Sequence, residues 1–173
     1  AGELVDGDHL IALLALDLRD QGLLAHDAVA VTVMTNLGFR QAMAANGVRV
    51  VDTPVGDRHV LAALEAEGLS LGGEQSGHII LRDRATTGDG VLTGLHLMAE
   101  MARTGRTLAD LASIMTVYPQ VLVNVRGVDR TRAATDQGVA DAVASVAAEL
   151  GDSGRVLLRP SGTEEMVRVM VEA

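Results

Sequence analysis

The sequence predicts an α/β three-layer domain with a mixed sheet, followed by a smaller α+β domain. Three observations carry that expectation. Apolar, β-branched runs alternate with amphipathic stretches of helical period over residues 28–68, the pattern of parallel strands joined by crossover helices. A Gly-rich polar loop between two short apolar segments, 69–83, reads as a hairpin at the sheet edge, which makes the sheet mixed. Beyond Pro119 the order becomes strand, helix, strand, strand, so MTVYPQ (115–120) reads as a linker with a boundary near Tyr118.

The elements follow in chain order. DGDHLIALLALDLRDQG (6–22) has apolar residues at helical spacing, with Asp6 or Asp8 as N-cap and Gly22 near its stop. AVAVTVMT (28–35) is a continuous apolar run, typical of a strand covered on both faces. NLGFRQAMAANG (36–47) is a helix capped by Asn36 and ended by Gly47, and VRVVDTP (48–54) is the next strand. GDRHVLAALEAEG (56–68) is a helix with Asp57 as its cap. TTGDGVLTGLHLMAEMARTG (86–105) is a long amphipathic helix started by Thr87 or Asp89, and TLADLASIM (107–115) adds a short one. In the second domain, 120–127 is a strand, 131–151 one helix, and 154–160 and 165–173 two strands. In the last strand Val167, Val169 and Val171 alternate with Met166, Arg168 and Met170. The valines are expected toward the helix and Arg168 on the opposite face.

Composition narrows the function. The chain is 48% hydrophobic and 21% charged, enough apolar content for a core. With one Phe, one Tyr and no Trp, bases find almost no stacking platform. A net charge of −9 argues against nonspecific binding to nucleic acid or an anionic membrane. An acidic protein that binds an anion needs locally concentrated Arg or backbone N–H groups. The absence of Cys removes thiolate metal sites. No apolar run reaches about 18 residues, so the expectation is a cytoplasmic protein with neither a nucleic-acid nor a membrane partner. The sequence begins in mid-pattern without Met and stops just after a strand, which reads as a fragment of a longer chain.

Five polar loops invite a chemical reading. Arg159-Pro160-Ser161-Gly162-Thr163 places a guanidinium, two hydroxyls and a glycine within five residues. A tetrahedral phosphate wants such converging donors, although a Pro-Ser-Gly hairpin with incidental arginines has the same composition. Arg168 is a second cation for that site. Gly73-Glu74-Gln75-Ser76-Gly77-His78 offers the mixed acceptors and donors that paired sugar hydroxyls need, and His78 can shuttle a proton; the alternative is a polar turn with a solvated His. Val55-Gly56-Asp57-Arg58 opens a helix at the sheet edge where α/β ligands lie, with capping by Asp57 as the plainer role, and Thr87-Gly88-Asp89-Gly90 likewise reads as a cap first and a site second. Asp6-Gly7-Asp8-His9 suggests Mg²⁺, but no third carboxylate follows and two aspartates before a helix cap it; no metal ligand is assigned.

VTVMTNLGF, TPVGDRHV, GGEQSGHIIL, TTGDGVLTGLHLM and RPSGTEEMVRVMVE occur in that order. With them the chain resembles the α-D-phosphohexomutase superfamily over essentially its whole length. The resemblance implies a four-domain mutase: a phosphoserine domain, an Mg²⁺ domain with a DGDxDR loop, a sugar-binding domain with GE-x-S-G-H, and a phosphate-binding domain with R-x-S-x-T. Residues 1–24 are then the tail of the second domain, 25–116 the third and 119–173 the fourth. Glu74, Ser76, His78 and Arg58 would bind the sugar, with His78 assisting proton transfer. Arg159, Ser161, Gly162, Thr163 and Arg168 would hold the phosphate. Gln75, where relatives acting on mannose or glucose phosphates more often carry Met, implies the glucosamine branch. The implied reaction interconverts glucosamine 6-phosphate and glucosamine 1-phosphate with Mg²⁺, and the resemblance allows a homodimer. The sequence departs from the family pattern in lacking the serine loop and DGDxDR, so 1–173 alone is expected to be inactive. Glu165 stands where the family commonly has proline after the T-E of the loop.

Overall fold

Strand β1 (Ala28–Thr32) is the centre of the first unit, and all five of its residues are buried. Its alternate side chains serve two cores. Val29 and Val31 join one cluster with Phe39 and Met43, while Ala28 and Ala30 join another with Val60, Leu64 and Ile80. This is what a strand covered on both faces does with an unbroken apolar sequence. The computed structural model describes Gly2, residues 4–161 and residues 164–173. The chain forms two units, 1–117 and 118–173.

In the first unit β2 (Arg49–Thr53), β1, β3 (Leu71–Gly73) and β4 (Ile79–Leu81) lie in the order β2-β1-β3-β4. β1 runs parallel to β2 and β3, and β4 pairs antiparallel with β3, so the sheet is mixed. Helices α1 (Gly7–Asp20), α2 (Leu37–Ala45), α4 (Gly90–Thr104) and α5 (Leu108–Ala112) supply the larger core on one face, and α3 (Asp57–Glu67) covers the other. That is the three-layer arrangement. α1 lies within the segment 1–24 and buries Ile11, Leu14, Ala15 and Leu18 in the same cluster as Val29 and Phe39. Asp6 caps α1 by accepting from the His9 N–H at 3.2 Å. Asp8 is fully buried, and its Oδ2 accepts from the N–H of Asn36, the cap of α2, at 2.8 Å.

One helix start differs from expectation, and another falls on one of the two caps expected for it. Asp57 is the first helical residue rather than the cap of α3. The cap position is Gly56, at φ 124°, and the Asp57 carboxylate accepts from its neighbour Arg58 N–H at 2.7 Å. α4 starts at Gly90 with Asp89 as cap, and Thr86–Gly88 stay in the loop. At α3 the Gly56 N–H is met by Glu74, distant in sequence, while at α4 the polar residue nearest the start is the cap.

The second unit is a three-stranded antiparallel sheet, β5 (Gln120–Arg126), β6 (Arg155–Pro160) and β7 (Met166–Glu172), in the order β5-β7-β6. The single helix expected over 131–151 is two: α6 (Arg130–Thr135) and α7 (Gln137–Leu150). Asp136 breaks them at ψ 124°, and its side chain accepts from the Val139 N–H at 3.2 Å. A short Asp side chain favours capping over a helix interior, and here that preference wins. Val169 faces α7 with Val156 and Leu158, as the alternation requires. The opposite face is not open, however. Met166 and Met170 are buried there, and Glu172 is fully buried while paired with Arg155 and bonded by Gln120 at 2.8 Å. No helix among the described residues is long and apolar enough to cross a membrane.

Candidate functional site

Each unit carries one loop with concentrated chemistry. In the first unit the β3–β4 turn, Glu74–His78, is closed by its own backbone. The Glu74 N–H donates to the His78 carbonyl at 3.0 Å and the Gly77 N–H to the Glu74 carbonyl at 2.9 Å. Gly77 sits at φ +94° with open space around it, so this position needs glycine for its backbone conformation.

Three neighbouring segments brace the turn. The Gly7 N–H, at the start of α1, donates to the Gln75 carbonyl at 3.0 Å. A Cβ at Gly7 would lie 2.3 Å from the Glu74 carbonyl oxygen, so the helix start fits against the turn only as glycine. Gln75 Nε2 bonds Asp6 Oδ2 at 3.3 Å, turning that side chain toward α1. The Gly56 N–H donates to Glu74 Oε1 at 2.9 Å, which sets the carboxylate at the N-terminus of α3 where the helix dipole favours negative charge. The third segment is the loop before α4, whose Gly88 N–H lies 3.2 Å from His78 Nε2.

The sequence-predicted residues of this loop end up in different settings. Glu74 is half-buried with one oxygen held and oriented. Ser76 is exposed. His78 is half-buried, its Nε2 3.7 Å from Asp57 Oδ2. Arg58 sits one residue from Asp57, but its guanidinium Nε bonds the His59 ring at 3.3 Å. Gly7 escaped sequence reading as part of this site, and the loops of Gly56 and Gly88 read there as helix caps first, because a glycine's use as a spacer or a donor shows only when its partner is known.

In the second unit Arg159 and Arg168 are direct cross-strand partners on β6 and β7. Both Nε atoms are buried and have no hydrogen-bond partner among the described residues. Burial, and then the Arg168 charge beside it, holds the Arg159 guanidinium below its ordinary pKa. Like charges placed directly opposite on a sheet repel, and burial strengthens the cost. Partial relief comes from Glu164, whose Oε2 is 3.5 Å from Arg168 and whose Oε1 is 4.0 Å from Arg126. Ser161 is buried at the head of the turn: its N–H donates to the Met166 carbonyl at 2.9 Å, and its Oγ accepts from the Glu164 N–H at 3.2 Å. Its hydroxyl proton is left to donate. Gly162 and Thr163 lie outside the described residues. Two bonds from the β5–α6 turn hold this loop, from Arg130 Nη1 to the Ser161 carbonyl at 2.9 Å and from the Gly127 N–H to the Glu165 carbonyl at 3.2 Å. Arg130 gave no signal in sequence, since a first-turn arginine is ordinary. Among the described residues no group of three or more His, Asp or Glu side chains is placed to hold a metal ion.

Comparison with known proteins matches each unit to a family domain. The family model for phosphoglucomutase/phosphomannomutase, alpha/beta/alpha domain III, matches residues 6–118, and the one for the phosphoglucomutase/phosphomannomutase C-terminal domain matches 122–173. The chain is 61% identical over its full length to a phosphoglucosamine mutase of Leifsonia xyli and 62% identical to one of Frankia alni, and spans 38% of each. Among solved structures, an N-acetylglucosamine-phosphate mutase in a substrate complex covers 99% of this chain and matches over 41% of its own length, at TM-score 0.79 and 25% identity. An Aspergillus fumigatus N-acetylphosphoglucosamine mutase, in complex with GlcNAc-6P and magnesium, shares the fold at TM-score 0.81 and 22% identity, over 99% of this chain and 44% of its own. With two consecutive family domains matched across nearly all of its residues and the same two units present in its fold, this chain belongs to the phosphoglucomutase/phosphomannomutase family.

Proposed function

We propose that this chain is the sugar-reading and phosphate-holding part of a mutase that interconverts glucosamine 6-phosphate and glucosamine 1-phosphate. The observation that carries the reading is the Arg159–Arg168 pair: two adjacent, partly desolvated guanidiniums whose buried Nε atoms lack partners among the described residues. An anion between them removes their repulsion and supplies the missing acceptors. The glucosamine specificity draws its support from the relatives named above. In this reading 25–116 acts as the third domain and 119–173 as the fourth. Residues 1–24, the tail of the second, place α1 against the sugar-reading turn.

The residues divide the work. Arg159 and Arg168 neutralise the phosphate that does not react, with the Ser161 hydroxyl and the Gly162 and Thr163 donors completing the clamp. Glu74, its Oε1 fixed by Gly56, offers Oε2 to ring hydroxyls, and the exposed Ser76 adds a second polar contact. His78 stands beside them for proton transfer, and Arg58 is placed to help once its guanidinium leaves His59. A phosphoserine supplied outside these residues gives its phosphoryl group to the free sugar hydroxyl: the new P–O bond forms as the serine P–O bond breaks, and the hydroxyl proton passes, with His78 assisting, to the serine oxygen that is released. The 1,6-bisphosphate then turns and returns its other phosphoryl group to serine. One clamp must therefore accept a phosphate from either end of the sugar, which a patch of guanidiniums does without reading ring orientation. Mg²⁺, when bound, neutralises charge on the transferring group; the described residues here do not fit it, and none is assigned to it.

Turnover of glucosamine 6-phosphate by the protein as its gene encodes it, measured against glucose 6-phosphate and mannose 6-phosphate, tests the proposal. The amino sugar is expected to give the highest kcat/KM. Preference for mannose or glucose phosphate would reassign the substrate, and binding without any turnover would make the protein a phosphosugar-binding module.

A further inference from the structure

We propose that Gly88 is a positioning residue for His78, and that it is glycine because the imidazole occupies the space of a side chain. Most glycines in loops are explained by backbone conformation, and Gly77 is one such. Gly88 is different. Its φ lies outside the left-handed region, so an L side chain could adopt its backbone without strain. What excludes a side chain is the ring: a Cβ there would lie 2.6 Å from His78 Cε1, 2.7 Å from Nε2 and 2.8 Å from Nδ1. Those distances to three ring atoms at once place the Gly88 backbone over the imidazole face. On the edge of the ring, Nε2 is 3.2 Å from the Gly88 nitrogen and 3.7 Å from Asp57 Oδ2. The backbone of His78 is already tied by its carbonyl to the Glu74 N–H. Only the side-chain torsions of His78 remain, and Gly88 confines them.

The consequence is specific. The atoms that obstruct a Cβ at Gly88 belong to the end of a rotatable side chain and not to backbone. A Gly88→Ala chain therefore folds, and yields by swinging His78 away. Gly88 touches no reacting atom in this account and acts through the histidine. The inference rests on the proposed role of His78 in the sugar-reading turn.

A double-mutant cycle on the protein as its gene encodes it tests it, with Gly88→Ala, His78→Ala and the pair compared in mutase turnover. Gly88→Ala is expected to lower kcat by between about tenfold and a hundredfold, with thermal stability nearly unchanged, and to have no further effect once His78 is Ala. Full activity in Gly88→Ala alongside loss in His78→Ala would overturn the proposal, as would losses that simply add. If His78→Ala itself keeps full activity, the catalytic reading of His78 fails while the positioning claim stays open to measurement. The side-chain NMR signals of His78 in residues 1–173 then decide: shifted signals in Gly88→Ala support confinement by Gly88, and unchanged signals refute it.

Discussion

Arg159 shows what one residue gains from its neighbours. Alone, an arginine on an antiparallel strand is ordinary. Opposite Arg168 and partly desolvated, it holds a positive charge where the fold would otherwise prefer none. Arg159→Ala is therefore expected to weaken glucosamine 6-phosphate binding by about 2 kcal/mol, roughly thirtyfold, while raising or preserving thermal stability. Calorimetric titration and a melting curve on the same sample check both halves, and a destabilised variant with unchanged affinity would refute the anion reading. Gly7 makes the opposite case, a residue whose value is its absence of atoms. Gly7→Ala pushes a methyl into the Glu74 carbonyl and is expected to cost about 1–3 kcal/mol, read as a lower denaturant midpoint. Arg159 could be singled out in the sequence by its neighbours Ser161 and Thr163. Gly7 could not, because its partner lies some seventy positions away along the chain.

Among the elements, the strands were legible and the helix ends less so. β1 announces itself as an unbroken apolar run because both its faces are covered. The split between α6 and α7 is invisible to periodicity, since Asp136 falls where either a helix interior or a cap is compatible with the pattern. Asp136→Ala removes the bond to the Val139 N–H and is expected to destabilise the second unit by about 1 kcal/mol, measurable by chemical denaturation. A stability gain would mean the helix prefers to run through. The expectation for β7 was half complete. Alternation placed Val169 toward α7, but the other face also packs, around Met166, Met170 and Glu172. Strand period assigns residues to faces; it does not say whether a face is covered.

For the whole molecule, the packing of α1 on α4 leaves a titratable signature. Glu100 and Asp17 are buried side by side at Arg103, whose Nη2 reaches Glu100 Oε2 at 2.5 Å and Asp17 Oδ1 at 3.0 Å. Burial first, and then the Asp17 carboxyl, raises the Glu100 pKa above its ordinary 4.5. A carboxyl that binds its proton more tightly folded than unfolded favours the native state at low pH. Its contribution is lost as pH rises from 4.5 through the raised value. Glu100→Gln is expected to flatten the pH dependence of melting across that window, and an unchanged slope would refute the assignment. On the same scale, residues 1–173 alone are expected to bind phosphosugar weakly and to show no mutase turnover, since neither the serine loop nor DGDxDR occurs in them; detectable turnover would reverse this.

The sequence by itself determined the fold class, the parallel core of the first sheet and the family, because period, capping chemistry and motif spacing are local properties written along the chain. Tertiary structure decided the rest: that Glu74 takes its orientation from Gly56, that His78 rests on Gly88, that Arg159 and Arg168 stand as neighbours, and that Arg130 holds the Ser161 carbonyl. Each of these depends on two residues distant in sequence meeting at a few ångströms. Only the closed chain brings them that near.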